Sequence, residues 1–414
     1  MDIFKSLQKA KPLLKVAKKG FEALFNHWET RAEEIPDFTR HNLSDGDFLT
    51  VSGQKVYNRL GQQVLLRGTN AGGWLVHEEW MCPAKVKTSM EWRDIVTERF
   101  GAEEHERLLG IWQDRYWQEE DFDRCAEIGM NCLRLPFLYM NLADDEGNLK
   151  EDAFRRLDWF VENAGKRGLY VILDMHGAFG SQNGEHHSGQ ENDGRQLFFN
   201  AENRRKTTVL WTQIAAHFRG NPVVAGYDIL NEPMGPGFTK ARTGKVQWDY
   251  FNELYNAIRS ADPEHIVIIE AVWVAFHLPP PSRYGWENII YEYHFYAWGL
   301  GHDAVCAGAL TAAAFWLPKV LNHGVPTLIG EVNCFGMAEL WEDTLKYLTQ
   351  LRFHWTTWTY KTNCSGWSIH QQDLTPTDVR TASVAEMEEA WSKTGTENAV
   401  PTMLKAILTR FLSD

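Results

Sequence analysis

The 414-residue sequence contains no apolar run that approaches the ~20 residues of a transmembrane helix. Its first 25 residues also lack the uninterrupted apolar core of a secretory signal. The six cysteines form no Cys-x-x-Cys pair and have no histidine partner at zinc-finger spacing. These absences exclude the membrane-spanning and zinc-finger classes. They predict a cytoplasmic protein with reduced thiols, or a secreted one if a leader has been removed.

Clustered positive charge and flexible linkers are absent as well. The net charge of -13 is spread along the chain, and Lys and Arg are not gathered into the patch that counterion release from nucleic acid requires. The sequence has no internal repeat, low-complexity tract or Gly/Ser-rich linker. It therefore predicts no nucleic-acid partner, a monomer, and one domain over residues 46–414 that follows an N-terminal helical extension over residues 1–45.

The N-terminal extension has a basic amphipathic pattern. Apolar residues recur near helical spacing between Phe4 and Phe25 among six lysines, although Pro12 interrupts the pattern. A helix of this kind docks on the domain with its lysines in water, or lies weakly on an anionic membrane. The sequence leaves both interpretations open.

Tryptophan is abundant, with 18 residues. Flat, rigid and amphipathic rings suit stacking on sugar rings, although most of these residues are expected to do no more than pack in the core. The abundance is therefore compatible with a carbohydrate substrate and does not establish one.

Apolar segments alternate with helical patterns along the rest of the chain. A hairpin is predicted over residues 48–57, from two short apolar runs around Ser52-Gly53. Eight short apolar segments follow, most of them separated by a helix: 64–68, 131–135, 169–173, 223–230, 265–270, 287–293, 327–329 and 355–360. Continuous apolar runs are typical of parallel strands that are covered on both faces. Eight such units predict an α/β fold, a closed (β/α)8 TIM barrel.

Polar residues end these predicted strands. They are Arg134 on strand two, His176 on three, Asn231 and Glu232 on four, His294 and Tyr296 on six, Glu331 on seven and Trp358 on eight. The carboxyl ends of barrel strands meet at one mouth, so these side chains are expected to form one site. Two glutamates there can divide the work of an acid and a nucleophile on one glycosidic bond.

Four of these motifs together resemble glycoside hydrolase family 5 of clan A. They are Asn231-Glu232-Pro233, Gly330-Glu331, Asp174-Met175-His176-Gly177 and His294-Phe295-Tyr296, and they match the family's pattern in order over about residues 49–367. Within the family, the stretches 67–78, 177–184 and 358–362 are similar to the exo-β-1,3-glucanase group. That group has Leu where His77 stands and Pro where Phe179 stands.

The resemblance implies a hydrolase that retains configuration at β-linked glucose, with Glu232 as acid/base and Glu331 as nucleophile. It assigns substrate contacts to Glu78, Arg134, His176, Asn231, His294, Tyr296 and Trp358, and it implies no cofactor and no metal. Retention requires carboxyl groups about 5–5.5 Å apart. It also requires a raised pKa on Glu232, so that this residue is protonated while Glu331 is ionised.

Two positions near the nucleophile have expected roles. Arg134 is expected to keep Glu331 charged, because an adjacent guanidinium favours the carboxylate. Tyr296 is expected to donate a hydrogen bond to the same carboxylate.

Glu78 is expected to bind the hydroxyls of a terminal glucose and so close the pocket, with a surface acid as the alternative.

An exo-acting β-1,3-glucanase or β-glucosidase is the first expectation, with a β-glucan or β-glucoside as substrate. An endo-β-1,4-glucanase or β-mannanase with an open cleft is the alternative on the same fold. Glu78 and the loop over residues 177–195 decide between them, according to whether they close one end of the site.

The loop residues Glu185, His186, His187, Glu191 and Asp193 match no metal-binding spacing and are expected to wall the mouth. Two other hypotheses are a carbohydrate-binding barrel without activity and a glycolipid hydrolase held at a membrane by the N-terminal helix.

Overall fold

The structure is a computed structural model, and it describes residues 15–17, 19–20, 22–23, 40–192, 195–234, 244–272, 277–297, 304–363 and 368–413. Most of the predicted N-terminal helix lies outside the described residues, as do Asp193 and Cys364. The expectation of membrane association therefore stays a prediction. Within the described ranges, no helix combines the length and the apolar character that crossing a membrane requires.

A small antiparallel sheet precedes the barrel. It consists of β1 (Leu49–Ser52), β2 (Lys55–Asn58) and β3 (Gln63–Val64), in that order. Val51 pairs with Val56, so the predicted hairpin over residues 48–57 is confirmed.

Eight parallel strands form a closed barrel. They are β4 (Arg67–Asn70), β5 (Cys132–Leu138), β6 (Tyr170–Gly177), β7 (Val224–Asp228), β8 (Ile266–Glu270), β9 (Ile289–Tyr296), β10 (Thr327–Asn333) and β11 (His354–Thr357). Each strand pairs with its neighbour in chain order, and β11 closes the barrel on β4 through Thr356 and Gly68. The predicted TIM barrel is confirmed.

Helices cover the outside of the barrel. Those of the described residues are α1 (Ser89–Phe100), α2 (Ala102–Tyr116), α3 (Glu119–Ile128), α4 (Tyr139–Leu142), α5 (Arg155–Lys166), α6 (Gln196–Phe199), α7 (Ala201–Phe218), α8 (Lys245–Ala261), α9 (Ala304–Leu321), α10 (Ala338–Leu351), α11 (Val384–Ser392) and α12 (Met403–Ser413). Three short strands, β12 (Lys361–Thr362), β13 (His370–Gln371) and β14 (Val400–Pro401), form a separate sheet after the barrel.

The prediction for the first barrel strand was wrong in its bounds. The sequence places it over residues 64–68, whereas the barrel strand is Arg67–Asn70 and Val64 pairs with Val56 in the small sheet. One apolar run thus serves two sheets, because the chain crosses from the small sheet into the barrel at residues 65–66. Between β8 and β9, the described residues contain a short 3-10 helix, Pro281–Arg283.

The amino ends of the barrel strands enclose an apolar interior. Cys132, Ile172, Ile266 and Leu328 belong to one buried cluster, together with Val56 of the small sheet. The small sheet therefore packs on this end of the barrel and fills it. Polar side chains occupy the opposite, carboxyl end.

Candidate active site

Strand periodicity turns the predicted site residues into the barrel. On β5, Cys132 belongs to the interior cluster, while Leu133 and Leu135 pack outward against the helices. Because successive side chains on a strand point to opposite faces, Arg134 faces inward. The same alternation on β6 and β9 turns His176 and His294 inward.

The strand ends line a cavity of about 450 Å³. Its walls are Glu78, Trp80, His176, His186, His187, Asn231, Glu232, Tyr296, Glu331 and Trp358. Seven of the nine predicted site residues are among them, and the other two, Arg134 and His294, bond to the carboxylates that line the cavity. A larger cavity of about 620 Å³ lies beside α1 and α2, but neither Glu232 nor Glu331 lines it.

Glu331 faces the barrel interior because β10 is irregular at Gly330. The pairing of β10 with β9 shifts register between Ile329 and Glu331, and a bulge of this kind re-aims a side chain. A Cβ at position 330 would lie 1.5 Å from a side-chain oxygen of Glu292, so any other residue would displace this buried carboxylate. The glycine of the Gly-Glu motif leaves room for it.

Two donors hold the carboxylate of Glu331. Arg134 Nη1 lies 3.1 Å from its Oε1, and the hydroxyl of Tyr296 donates to its Oε2. The Tyr296 contact is the hydrogen bond predicted for it, and Arg134 lies next to the carboxylate on which it was predicted to act. The two contacts fix the orientation of Glu331.

Arg134 is fully buried among carboxylates. Its guanidinium lies 2.7 Å from Asp228, 3.0 Å from Asp174, 3.1 Å from Glu331 and 3.3 Å from Glu292. Burial opposes the charge of Arg134, but these four acids outweigh it and raise its pKa above the ordinary value. The site is thus built on one buried cation shared by several acids.

Glu232 is held through both its backbone and its side chain. His294 Nδ1 lies 2.8 Å from Glu232 Oε1, and His187 Nε2 lies 3.2 Å from Glu232 Oε2. The backbone N–H of Glu232 donates to Glu270 Oε2 at 2.5 Å. The backbone of Glu232 has a φ of 43°, in the left-handed region that residues with a side chain seldom adopt.

The raised pKa expected for Glu232 is wrong for the free site. Burial alone raises it, but the hydrogen bond from His294 and the charges of His187 and His294 outweigh burial and lower the pKa to about 2. His294 can supply that charge because the neighbouring carboxylates, Glu270 and Glu331 foremost, raise its own pKa against the effect of burial. Glu232 is therefore ionised at neutral pH before substrate enters.

His176 is a neutral, fixed histidine. Burial lowers its pKa to about 3, and its Nδ1 lies 2.7 Å from Asp174 Oδ2. The Nδ2 of Asn231 donates to His176 Nε2 at 3.3 Å, while the Oδ1 of Asn231 accepts from Arg134. The indole of Trp358 lies nearly parallel to the His176 ring, with centroids 5.2 Å apart. These contacts set one wall of the cavity.

Glu78 lines the cavity together with Trp80 and His186. Glu78 itself is 5% exposed, accepts from Trp80 Nε1 at 2.7 Å, and lies 3.2 Å from His186 Nε2. The hydrogen bond with Glu78 raises the pKa of His186. The alternative of a surface acid is therefore wrong for Glu78. The contact with His186 joins it to the predicted loop, from which His186 and His187 line the cavity.

Sequence reasoning did not identify Trp80 or Glu270 as site residues, and it placed His187 only in the loop expected to wall the mouth. Glu270 carried a usable signal, since it is an acid that ends an apolar strand, like Glu331. Trp80 and His187 lie on loops, where no periodicity indicates which way a side chain points. Their positions depend on contacts with residues far away in the chain.

One group of described residues has the composition of a metal site. Ligand atoms of Glu232, Glu270 and His294 lie within 4.8 Å of one another. The hydrogen bonds from His294 and from the Glu232 backbone already account for this proximity. The group is therefore explained as a hydrogen-bonded unit.

Comparison with known proteins points to one family. The model of the cellulase family, glycosyl hydrolase family 5, matches residues 86–364, more than half of the chain. A beta-xylosidase of Phanerodontia chrysosporium is 30% identical over 262 residues, which cover 60% of this chain and 52% of the relative. The sporulation-specific glucan 1,3-beta-glucosidase of Saccharomyces cerevisiae is 31% identical over 287 residues, which cover 62% and 61%. The chain spans about half the length of the curated relatives it matches.

Solved structures share the fold. An endogalactoceramidase superposes with a TM-score of 0.57 at 20% identity, over 83% of this chain and 84% of that one. A beta-glucanase from Saccharophagus degradans has a TM-score of 0.56 at 18% identity, over 86% and 98%. At these identities the likeness concerns the barrel alone.

Proposed function

The chain belongs to glycosyl hydrolase family 5, and from this premise we propose that it is a retaining β-glycoside hydrolase that releases terminal glucose from β-linked glucans. One observation carries the proposal. His294 Nδ1 lies 2.8 Å from Glu232 Oε1 and 3.5 Å from Glu331 Oε2. These two carboxylate oxygens therefore lie closer together than ~6.5 Å, the smallest separation between the two carboxyl groups of inverting enzymes.

The two glutamates act in sequence. Glu331 attacks the anomeric carbon as the proton of Glu232 passes to the departing glycosidic oxygen, and a glycosyl ester forms on Glu331. Glu232, now ionised, takes a proton from water, and that water displaces Glu331 from the sugar. Because Glu232 is ionised in the free site, it must gain its proton as substrate binds and changes its surroundings.

The position of Glu78 supports exo action. We infer that Glu78, Trp80 and His186, which line the cavity, block one end of it, so that a chain can place only its terminal sugar beside the two glutamates. An endo-acting enzyme needs a cleft open at both ends. Relatives named glucan 1,3-beta-glucosidase support glucose and the β-1,3 linkage as the first choice.

Product analysis tests the proposal. The enzyme is incubated with laminarin, with carboxymethyl-cellulose, and with aryl β-glucoside and β-xyloside. Glucose as the sole early product from laminarin is the expected result. Mixed oligosaccharides from carboxymethyl-cellulose would establish an open-cleft endoglucanase instead, and faster release from the xyloside would make the terminal sugar a pentose.

Replacing Glu78 with alanine is expected to lower kcat/KM on laminarioligosaccharides about 10- to 100-fold. The reason is the loss of hydrogen bonds between a charged group and sugar hydroxyls, each of which contributes roughly 1.5–3 kcal/mol. Steady-state kinetics on a defined laminarioligosaccharide measure the effect. The neighbouring Glu79→Ala is the control, because Glu79 is exposed and does not line the cavity. Equal losses in the two variants would contradict the role of Glu78.

Replacing His187 with glutamine is expected to move the basic limb of the kcat profile, which reports the enzyme–substrate complex, to higher pH by about one unit. Positive charge beside Glu232 favours its ionised form, so removing that charge raises the pKa of Glu232. The protonated acid then persists to higher pH. Profiles on an aryl β-glucoside measure this, with His217→Gln as a control, since His217 contacts Asp158 and does not line the cavity. A shift to lower pH would refute the assignment.

A further inference from the structure

Glu270 is a buried acid that the mechanism above does not use. It is the last residue of β8, and its side chain is fully buried beside the acid/base. Its Oε2 accepts the backbone N–H of Glu232 at 2.5 Å. No other side chain of the described residues accepts a hydrogen bond from that N–H.

The backbone that Glu270 contacts has an unfavourable conformation. Glu232 has a φ of 43°, and it precedes Pro233, although residues before proline favour extended backbone. A non-glycine residue stays in the left-handed region only where its surroundings fix it there. The carboxyl of Glu270 is positioned to do this, because it bonds the N–H of the residue concerned.

Glu270 also faces the side-chain partner of Glu232. Its Oε1 has no hydrogen-bond partner and lies 3.5 Å from His294 Nε2. The other nitrogen of that ring, Nδ1, lies 2.8 Å from Glu232 Oε1. One buried acid thus contacts the backbone of Glu232 directly and reaches its carboxylate through His294.

We propose that Glu270 is the positioning residue of the acid/base: it fixes the left-handed backbone of Glu232 and the ring of His294, and so aims the proton of Glu232 at the departing oxygen. This inference rests on the function proposed above. It assigns Glu270 a role in the step that breaks the glycosidic bond, although Glu270 itself does not line the cavity.

Charge alone does not distinguish Glu270 from its neighbour Glu292. An oxygen of Glu292 lies 3.4 Å from His294 Nε2, but its other side-chain contacts are with Arg134 and Asp228, not with the backbone of Glu232. Glu292 is therefore a matched control for a second buried acid next to the same ring.

Leaving-group dependence tests the proposal. An aryl glucoside with a good leaving group, 2,4-dinitrophenolate, needs little protonation, whereas an alkyl glucoside needs the acid. Glu270→Leu is expected to lower kcat/KM about 10²-fold on methyl β-glucoside, and less than about 10-fold on the dinitrophenyl substrate. kcat/KM reports steps up to formation of the glycosyl ester, so hydrolysis of that ester does not enter the comparison.

Two more substitutions at position 270 separate contact from fold. Glu270→Gln keeps an oxygen that accepts the N–H, and it is expected to lose less than about 10-fold on either substrate. Glu270→Asp withdraws the acceptor by one methylene group, and it is expected to share the leaving-group dependence of the leucine variant. If leucine prevents folding, as judged by circular dichroism, the aspartate variant supplies the test.

Different outcomes would overturn the positioning role of Glu270 and the proposed function. Equal losses on both substrates, or the same pattern in Glu292→Gln, would overturn the positioning role of Glu270. A wild-type protein that hydrolyses neither substrate would overturn the proposed function itself. Leaving-group-dependent loss in Glu270→Leu or Glu270→Asp, absent from Glu292→Gln, is the expected result.

Discussion

Glu331→Ala is expected to lower kcat about 10⁴-fold or more, the scale on which enzymes lose activity when a nucleophile is removed. Arg134 and the Tyr296 hydroxyl hold this carboxylate in place beside the acid/base. Alanine removes the carboxylate that accepts from these two donors, and it offers no atom to attack the sugar. Release of aryl alcohol from 2,4-dinitrophenyl β-glucoside measures the loss.

Azide provides a rescue experiment for this variant. A small anion can enter the space vacated by the carboxylate and attack the anomeric carbon directly, so the expected product is the α-glucosyl azide. Glu339→Ala, at an exposed position at the start of α10, is the control and should match wild type. Retained activity in Glu331→Ala, or a β-glucosyl azide as product, would contradict the assignment of the nucleophile.

Arg134→Met is expected to reduce the free energy of unfolding by about 3–5 kcal/mol, as for other broken buried ion pairs. The guanidinium is the buried cation shared by Asp174, Asp228, Glu292 and Glu331. Removing it leaves buried carboxylates without compensation. Urea denaturation at pH 7 measures the change.

The loss in Arg134→Met should shrink as the pH falls. Burial already raises the pKa values of Asp174 and Asp228 against the effect of Arg134, and removing the guanidinium raises them further. A carboxyl whose pKa is raised in the folded state binds a proton on folding, so its stability contribution grows as the pH falls toward the unfolded value. Denaturation at pH 7 and pH 5 tests this.

A surface arginine provides the control for Arg134→Met. Arg107 also pairs with two acids, Glu104 and Glu388, but in water, so Arg107→Met should leave the stability close to wild type. A loss in Arg134→Met no larger than this control would show that the buried cation is not needed. A difference in the free energy of unfolding between wild type and Arg134→Met that is larger at pH 5 than at pH 7 would contradict the charge argument.

The barrel and most of its site could be predicted because both follow from short-range patterns. Apolar runs gave eight strands, and polar residues at their carboxyl ends gave Arg134, His176 and His294. Strand alternation turns these three side chains inward in the structure, as the prediction required. Glu78 was identified through the resemblance. The structure excludes the alternative of a surface acid, because this side chain is buried.

The remaining features depend on contacts that no local pattern encodes. Strict alternation along β10 would turn Glu331 outward, and the register shift at Gly330 turns it inward. The lowered pKa of Glu232 arises from His187 and His294, which come from a loop and a strand distant in sequence. The role of Glu270 depends on its contact with the backbone of Glu232, and the left-handed conformation of that backbone is itself a tertiary feature.

The anomeric form of the first sugar released tests the double-displacement mechanism most directly. Proton NMR follows hydrolysis of laminarioligosaccharides from the first minutes, before mutarotation mixes the anomers. Initial release of β-glucose is the predicted result, because two displacements at one carbon restore its configuration. Initial release of α-glucose would mean that water attacks directly, and it would contradict Glu331 as the nucleophile.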